Sequence, residues 1–263
     1  MRISFRMFII FCFCGCISAF EFNAFSLNIV LDPGHGDKSI GCAYYYDGKE
    51  VVERDLNHKM ARMLKNELKN YKTKDKEDVN VYITCKKNEN PSLYDRVKFG
   101  KNHNADMFLS MHLNACPNRN VKGAVVLVTN SHYQPKENLK DKKYKRDLYA
   151  REERLAKKIL KNLKNIGVTI PKNVKSDMLE LRDGLLRRPS DNGSKYPNGD
   201  KSDWYGIINN GVRNGILAIL VEHAHLSNRE DYNNFLSNDN KLKNLVHADA
   251  LGIAEYYGLV LKK

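Results

Sequence analysis

Short apolar runs of strand length alternate along this chain with stretches whose apolar residues repeat at helical spacing, and that alternation limits the fold more than any other feature. Residues 26–31 (SLNIVL) read as a buried strand stopped by the turn formers Asp32, Pro33 and Gly34. From Glu53 onward, Leu56, Met60, Met63, Leu64, Leu68 and Tyr71 fall on one face of a helix. Residues 79–85 alternate like a strand, 91–102 read as a helix, and 106–112 form a short apolar run ending in polar residues. A strand at 123–128, a basic helix at 148–163 and a last strand at 216–221 follow. Leu242, Val246, Ala250, Ile253 and Tyr257 define a closing amphipathic helix.

Such a chain is α/β: a single domain with a twisted, mixed or mostly parallel sheet flanked by helices on both faces. Between residues 171 and 204 the periodicity fades, and 187–203 is dense in turn formers. That segment is expected to be a long surface loop, a groove wall or a lid.

The first twenty residues carry Arg2 and Arg6, then an apolar run from Met7, then the small residues Ser18 and Ala19. The run is about 14 residues, shorter than the ~20 that span a bilayer, so 1–20 reads as a cleaved secretory signal and no permanent span is expected. An uncleaved anchor or a lipid-modified Cys16, which follows Gly15, are the alternatives. The remaining domain, 26–263, is then expected to be secreted, at the cell wall or in a periplasm. Cys12, Cys14 and Cys16 lie in the signal, leaving Cys42, Cys85 and Cys116. Three widely spaced cysteines are no disulfide framework, so core packing must hold the fold.

The formal charge is +13. On an exported protein, a basic balance points to a polyanionic surface such as an anionic wall polymer or lipid. Residues 136–164 hold twelve Lys/Arg against five Asp/Glu, either a solvated helix face or the contact itself. Tyr144 and Tyr149 are their only aromatic residues, too few for an interleaved stacking surface, which argues against nucleic acid.

His35, His112 and Glu222 each follow an apolar run that looks like a strand. In open α/β sheets the carboxyl ends of strands line the ligand crevice, and Glu53, opening a helix just after the His35 loop, can reach the same edge. Two imidazoles and a carboxylate match the ligand set of a catalytic zinc, with a second carboxylate to take a proton. Singly, each has a plainer reading: His35 as a capped turn residue, Glu53 as a helix N-terminal carboxylate. In 219–228 (ILVEHAHLSN), an extended chain points His223 and His225 one way and Glu222 the other. The three cannot then share one ion.

The motifs LDPGHGD (31–37), ERDLN (53–57), PSLYDRV (91–97), ADMFLSMHLNA (105–115) and ILVEHAHLSN occur in this order. In residues and spacing they resemble the zinc-dependent N-acetylmuramoyl-L-alanine amidases of bacterial cell-wall turnover (amidase type 3), from about residue 27 to the end. The resemblance implies a twisted mixed sheet between helices, zinc held by His35, Glu53 and His112, and Glu222 as the catalytic carboxylate. It also implies the bond cut: the amide between the lactyl group of N-acetylmuramic acid and the L-alanine of the stem peptide, in peptidoglycan or soluble muropeptides. Zinc would supply an activated water and a polarised carbonyl, and Glu222 would carry the proton to the leaving nitrogen. A monomer is expected.

The run Gly36 to Cys42 departs from the family, which commonly carries a second Gly and later Gly-Ala there. Cys42 is then either a zinc thiolate or a small buried residue. Asn114 either orients a ligand or caps the strand end, and Arg96 pairs with a structural carboxylate. His223 is expected to support the site from behind, and His225 to pack or lie at the surface.

Overall fold

The computed structural model describes residues 26–75, 77–135 and 147–262. The expected signal at 1–20 and the 136–146 portion of the basic segment lie outside the described residues.

The main sheet has eight strands: β1 (Leu27–Pro33), β5 (Val79–Ile83), β6 (Met107–Asn114), β7 (Val125–Leu127), β8 (Val174–Lys175), β9 (Glu180–Arg182), β10 (Leu185–Arg187) and β11 (Ala218–His225). Their order is β5-β1-β6-β11-β7-β10-β9-β8. The pairs from β5 to β11 are parallel, as is β7 with β10, whereas β11–β7 and both pairs at the β8 end are antiparallel. The sheet is thus mixed, parallel where the longest apolar runs lie.

Alternation along those runs divides the core. Ile29, Leu31, Leu109, Met111, Ile219 and Val221 face one layer, made by α1 (Glu53–Leu68), α3 (Leu148–Asn165) and α6 (Asp239–Tyr257). Val30, Phe108 and Ala218 face the other, made by α2 (Leu93–Asn102) and α4 (Gly206–Asn214). Cys42, Cys85 and Cys116 are free thiols. With no disulfide among the described residues, stability rests on these two layers, where each fully buried Leu, Ile or Met contributes about 1.5–3 kcal/mol.

Four local features differ from the sequence reading. The helix opened by Glu53 stops at Leu68, and Tyr71 instead begins β4 (Tyr71–Lys72), which pairs with β12 (Val260–Leu261). A hairpin of β2 (Ala43–Tyr46) and β3 (Lys49–Val52) precedes α1. Its Tyr46 hydroxyl donates to the Leu226 carbonyl at 2.7 Å, fastening the hairpin to the chain just past β11. The last strand of the main sheet runs past Val221 to His225 with a bulge after Glu222. The stretch expected to be a loop, 171–204, contains β8, β9 and β10, and its remainder is pinned rather than free: Asp203 is 3% and Tyr196 2% exposed.

Candidate metal centre

The carboxyl ends of β1, β6 and β11 meet at one edge of the sheet, and the chemistry gathers there. Past β1 the chain leaves the ladder at Gly34, whose N–H donates to the Met111 carbonyl at 2.9 Å, and His35 follows with φ +72°. A non-glycine residue in this left-handed region is strained by about 1–2 kcal/mol and persists only where neighbours hold it. Arg96 does so from α2, donating through one guanidinium nitrogen to the His35 carbonyl at 2.7 Å and through the other to the Pro33 carbonyl at 2.9 Å. The same nitrogen meets the Asp32 carboxylate at 2.8 Å, the structural carboxylate expected for Arg96. Both ionic side chains are buried, 4% and 1% exposed.

Glu53 reaches this edge because β3 ends where α1 begins. Its Oε1 lies 3.0 Å from His35 Nε2 and 3.1 Å from His112 Nδ1, and accepts from the Leu113 N–H at 3.2 Å. Its Oε2 accepts from the Cys42 N–H at 3.0 Å. Burial acts to raise the Glu53 pKa, but the hydrogen bonds with His112 and His35 outweigh it and hold the carboxyl well below its usual range. One ligand atom from each of His35, Glu53 and His112 falls within 4.8 Å of the others.

This donor set fits zinc. The oxygen-to-nitrogen separations approach the ~3.3 Å edge of a tetrahedron with ~2.0–2.1 Å bonds, and the carboxylate is held ionised. Two glycines leave the cluster room. A Cβ on Gly34 would overlap the His112 imidazole, and one on Gly41 would overlap Glu53 and His35. Cys42 is not among the clustered ligand atoms, and burial, with the Glu53 charge, pushes its thiol above its ordinary pKa. A cavity of about 350 Å³ opens over the cluster, bordered by His35, Ser39, Asn90, Leu93, His112 and Ile207.

Glu222 stands beside the cluster rather than in it. It is the register partner of His112 on the parallel neighbour strand, and its Oε2 has no hydrogen-bond partner. Burial raises its pKa to about 6, with the Glu53 charge adding to the rise and His112 opposing it. The residue after it turns to the opposite face. His223 Nε2 lies 2.8 Å from Asp249 Oδ2 on α6 and its Nδ1 3.1 Å from the His112 carbonyl, with both side chains fully buried. Both partners are acceptors, an arrangement that favours the doubly protonated ring. Burial opposes that charge, and Asp249 overcomes it, raising the His223 pKa. The same backbone alternation that separates Glu222 from His223 thus puts a buried His223–Asp249 pair behind the site.

His225 takes no part in the cluster; its Nδ1 faces the Gly123 carbonyl at 3.1 Å and its N–H donates to Asp231 at 2.8 Å. Asn114 caps its strand end, its side-chain oxygen accepting from the Ala115 N–H at 2.8 Å. Sequence reasoning missed Asn57, which donates weakly to both the Gly34 carbonyl and Glu53, each at 3.4 Å. Its place one turn after Glu53, on the same helix face, was the available signal.

An α/β sheet that carries a His-Glu-His cluster and a spare carboxylate at its strand ends has the layout of a metallohydrolase. The chain belongs to the N-acetylmuramoyl-L-alanine amidase family, whose model matches residues 29–255. Membership makes it an amidase that acts on peptidoglycan. Solved structures share the fold. The catalytic domain of CwlV, an N-acetylmuramoyl-L-alanine amidase from Bacillus (Paenibacillus) polymyxa var. colistinus, is 21% identical with a TM-score of 0.59, covering 88% of this chain and 97% of that one. The CwlD amidase of Clostridioides difficile, in complex with the GerS lipoprotein, is 22% identical with a TM-score of 0.54, over 89% and 99% of the two chains. Cwp6 of Clostridium difficile gives 22% and 0.60 over 88% of this chain, which spans only 29% of Cwp6. No curated protein sequence matches the chain.

Proposed function

We propose that the chain hydrolyses the amide between the lactyl group of N-acetylmuramic acid and the L-alanine of the stem peptide, using zinc held by His35, Glu53 and His112. Zinc, when bound, supplies the Lewis acidity that polarises the scissile carbonyl and acidifies a water. Glu222 takes the proton of the attacking water and delivers it to the departing alanine nitrogen, without which an amine is a poor leaving group. The observation that carries this reading is the unpartnered Oε2 of Glu222, set by strand register beside His112. Arg96 holds the backbone of His35, and His223 holds that of His112 while its charge stabilises ionised Glu222.

The test is incubation with purified peptidoglycan, with and without a chelator, and mass spectrometry of the products. Stem peptides beginning at L-alanine together with unsubstituted glycan, lost on chelation, support the reading. Cleavage within the peptide marks a zinc peptidase instead, and binding without products a wall-binding protein.

A peptidoglycan substrate implies action outside the cytoplasm, in keeping with a secretory signal at 1–20. No helix among the described residues is long and apolar enough to cross a membrane. Retention on an anionic wall polymer through 136–164, by a monomer, is part of the same reading. Within α3, Lys158 and Lys161 pair with Glu255 on α6, so the part of the segment left for a polymer is smaller than its net charge suggests. Wall binding that weakens between low and high salt supports this contact, and binding indifferent to salt removes it.

A further inference from the structure

Trp204 is the only tryptophan in the chain and stands 44% exposed on an otherwise fixed segment. The residue before it anchors that segment. Asp203 accepts from the Thr129 hydroxyl at 2.7 Å, the Asn130 N–H at 2.8 Å and the Tyr196 hydroxyl at 2.7 Å. Arg188 lies alongside: the Trp204 N–H donates to its carbonyl at 2.9 Å, and its guanidinium carbon sits 3.8 Å from the indole centroid. Tyr205 meets the indole edge-on, with centroids 4.8 Å apart.

The same structure borders the metal centre. Burial, and then the charge of the nearby Glu222 carboxylate, push the Tyr205 hydroxyl above its usual range. Gly206, two residues past Trp204, packs against Leu93, and Leu93 lines the cavity over His35 and His112. Leu93 and its neighbour Tyr94 are themselves 50% and 55% exposed. An apolar rim therefore leads from the cluster to the indole.

Singly exposed apolar side chains need no explanation, but a preformed aromatic plate beside a catalytic cavity is a different feature. One side of the indole is backed by a cation, and much of the ring still meets solvent. A pyranose offers a face of C–H groups that suits the electron-rich face of an aromatic ring. Arg188 covers the other face, so it holds the ring in place and leaves one face for the sugar. We infer that Trp204, backed by Arg188, forms a saccharide shelf, on which a sugar ring of the glycan strand stacks while its lactyl amide reaches the cluster. The inference rests on the amidase reading and adds to it the part of the substrate that this wall grips.

The lone tryptophan makes the shelf its own reporter. With Glu222→Gln protein, intrinsic fluorescence is titrated with a peptide-free N-acetylglucosamine tetramer and, separately, with a free stem pentapeptide. A saturable change with the sugar and none with the peptide is expected. Calorimetry with Trp204→Ala should show sugar affinity reduced about tenfold, the scale of one lost aromatic contact. On polymeric peptidoglycan the same substitution in otherwise wild-type protein should raise KM about tenfold with kcat little changed. A response to peptide alone, a response to neither, or an unchanged KM overturns the shelf. Whether wild-type protein releases stem peptides is scored separately: failure there overturns the amidase reading, whereas release with an unchanged Trp204→Ala KM overturns only the shelf.

Discussion

Glu222 and His112 are register partners on the adjacent parallel strands β11 and β6. Backbone hydrogen bonding alone therefore sets the proposed proton carrier beside a proposed ligand, and their roles separate cleanly under substitution. Glu222→Gln keeps the shape and removes the base, so turnover should fall by about 10²–10⁴-fold while zinc content stays at one per chain. Activity assays paired with metal analysis check this, and loss of zinc from the variant would reassign Glu222 as a ligand.

The pH profile follows from the same carboxyl. Its pKa is raised to about 6 by burial and by the Glu53 charge, and it must be ionised to accept a proton. Activity should rise with pH and level off above this value. Zinc adds positive charge nearby and shifts the limb to lower pH. The acidic limb of kcat/KM should therefore lie at or below about 6; a limb well above 6 would contradict the assignment.

Gly41 and Gly48 both have left-handed backbones, φ +73° and +75°, but a Cβ on Gly41 would strike Glu53 and His35 whereas one on Gly48 meets nothing. Gly48→Ala should cost about 1 kcal/mol of stability and leave metal binding intact. Gly41→Ala should weaken zinc by about 10–100-fold in addition. Competition with a chromogenic chelator, alongside urea unfolding, tells the two effects apart.

Arg96→Lys keeps the charge and loses the fork that reaches Asp32 and the carbonyls of Pro33 and His35 together. We expect a loss of several kcal/mol in urea unfolding, about 3–5 where buried Asp32 is left unpaired, and weaker zinc binding because His35 is no longer held. Unaltered stability would show that the clamp is dispensable.

Asp249→Ala removes the counter-ion of a fully buried His223. The expected cost is again about 3–5 kcal/mol, and Asp249→Asn should recover part of it by keeping a hydrogen-bond acceptor. Denaturant midpoints of the two variants decide the point.

Much of this arrangement was legible in the sequence because apolar runs that end in polar residues announce strand ends. His35, His112 and Glu222 stand at or just past such ends, and Glu53 is the first residue of a helix. The bulge after Glu222 was not legible, since it depends on where Asn114 falls on the neighbouring strand. The stretch before Trp204 read as a loose loop for a similar reason. Its order comes from hydrogen bonds between Asp203 and residues more than seventy positions earlier, which no local pattern encodes. The β2–β3 hairpin carries its own signal, Asp47-Gly48 between the strand-forming runs AYYY and KEVV, and both turn residues have the positive φ of a two-residue hairpin turn.

The anchoring of Asp203 has a consequence for kinetics. A wall already ordered in the free enzyme does not have to be immobilised again when a chain docks, so the entropic penalty of forming the groove falls on folding and not on each catalytic cycle. On the proposed shelf, a wall so fixed would select by admission: glycans too heavily decorated to pass it would be turned away at encounter instead of being accommodated by closure around them.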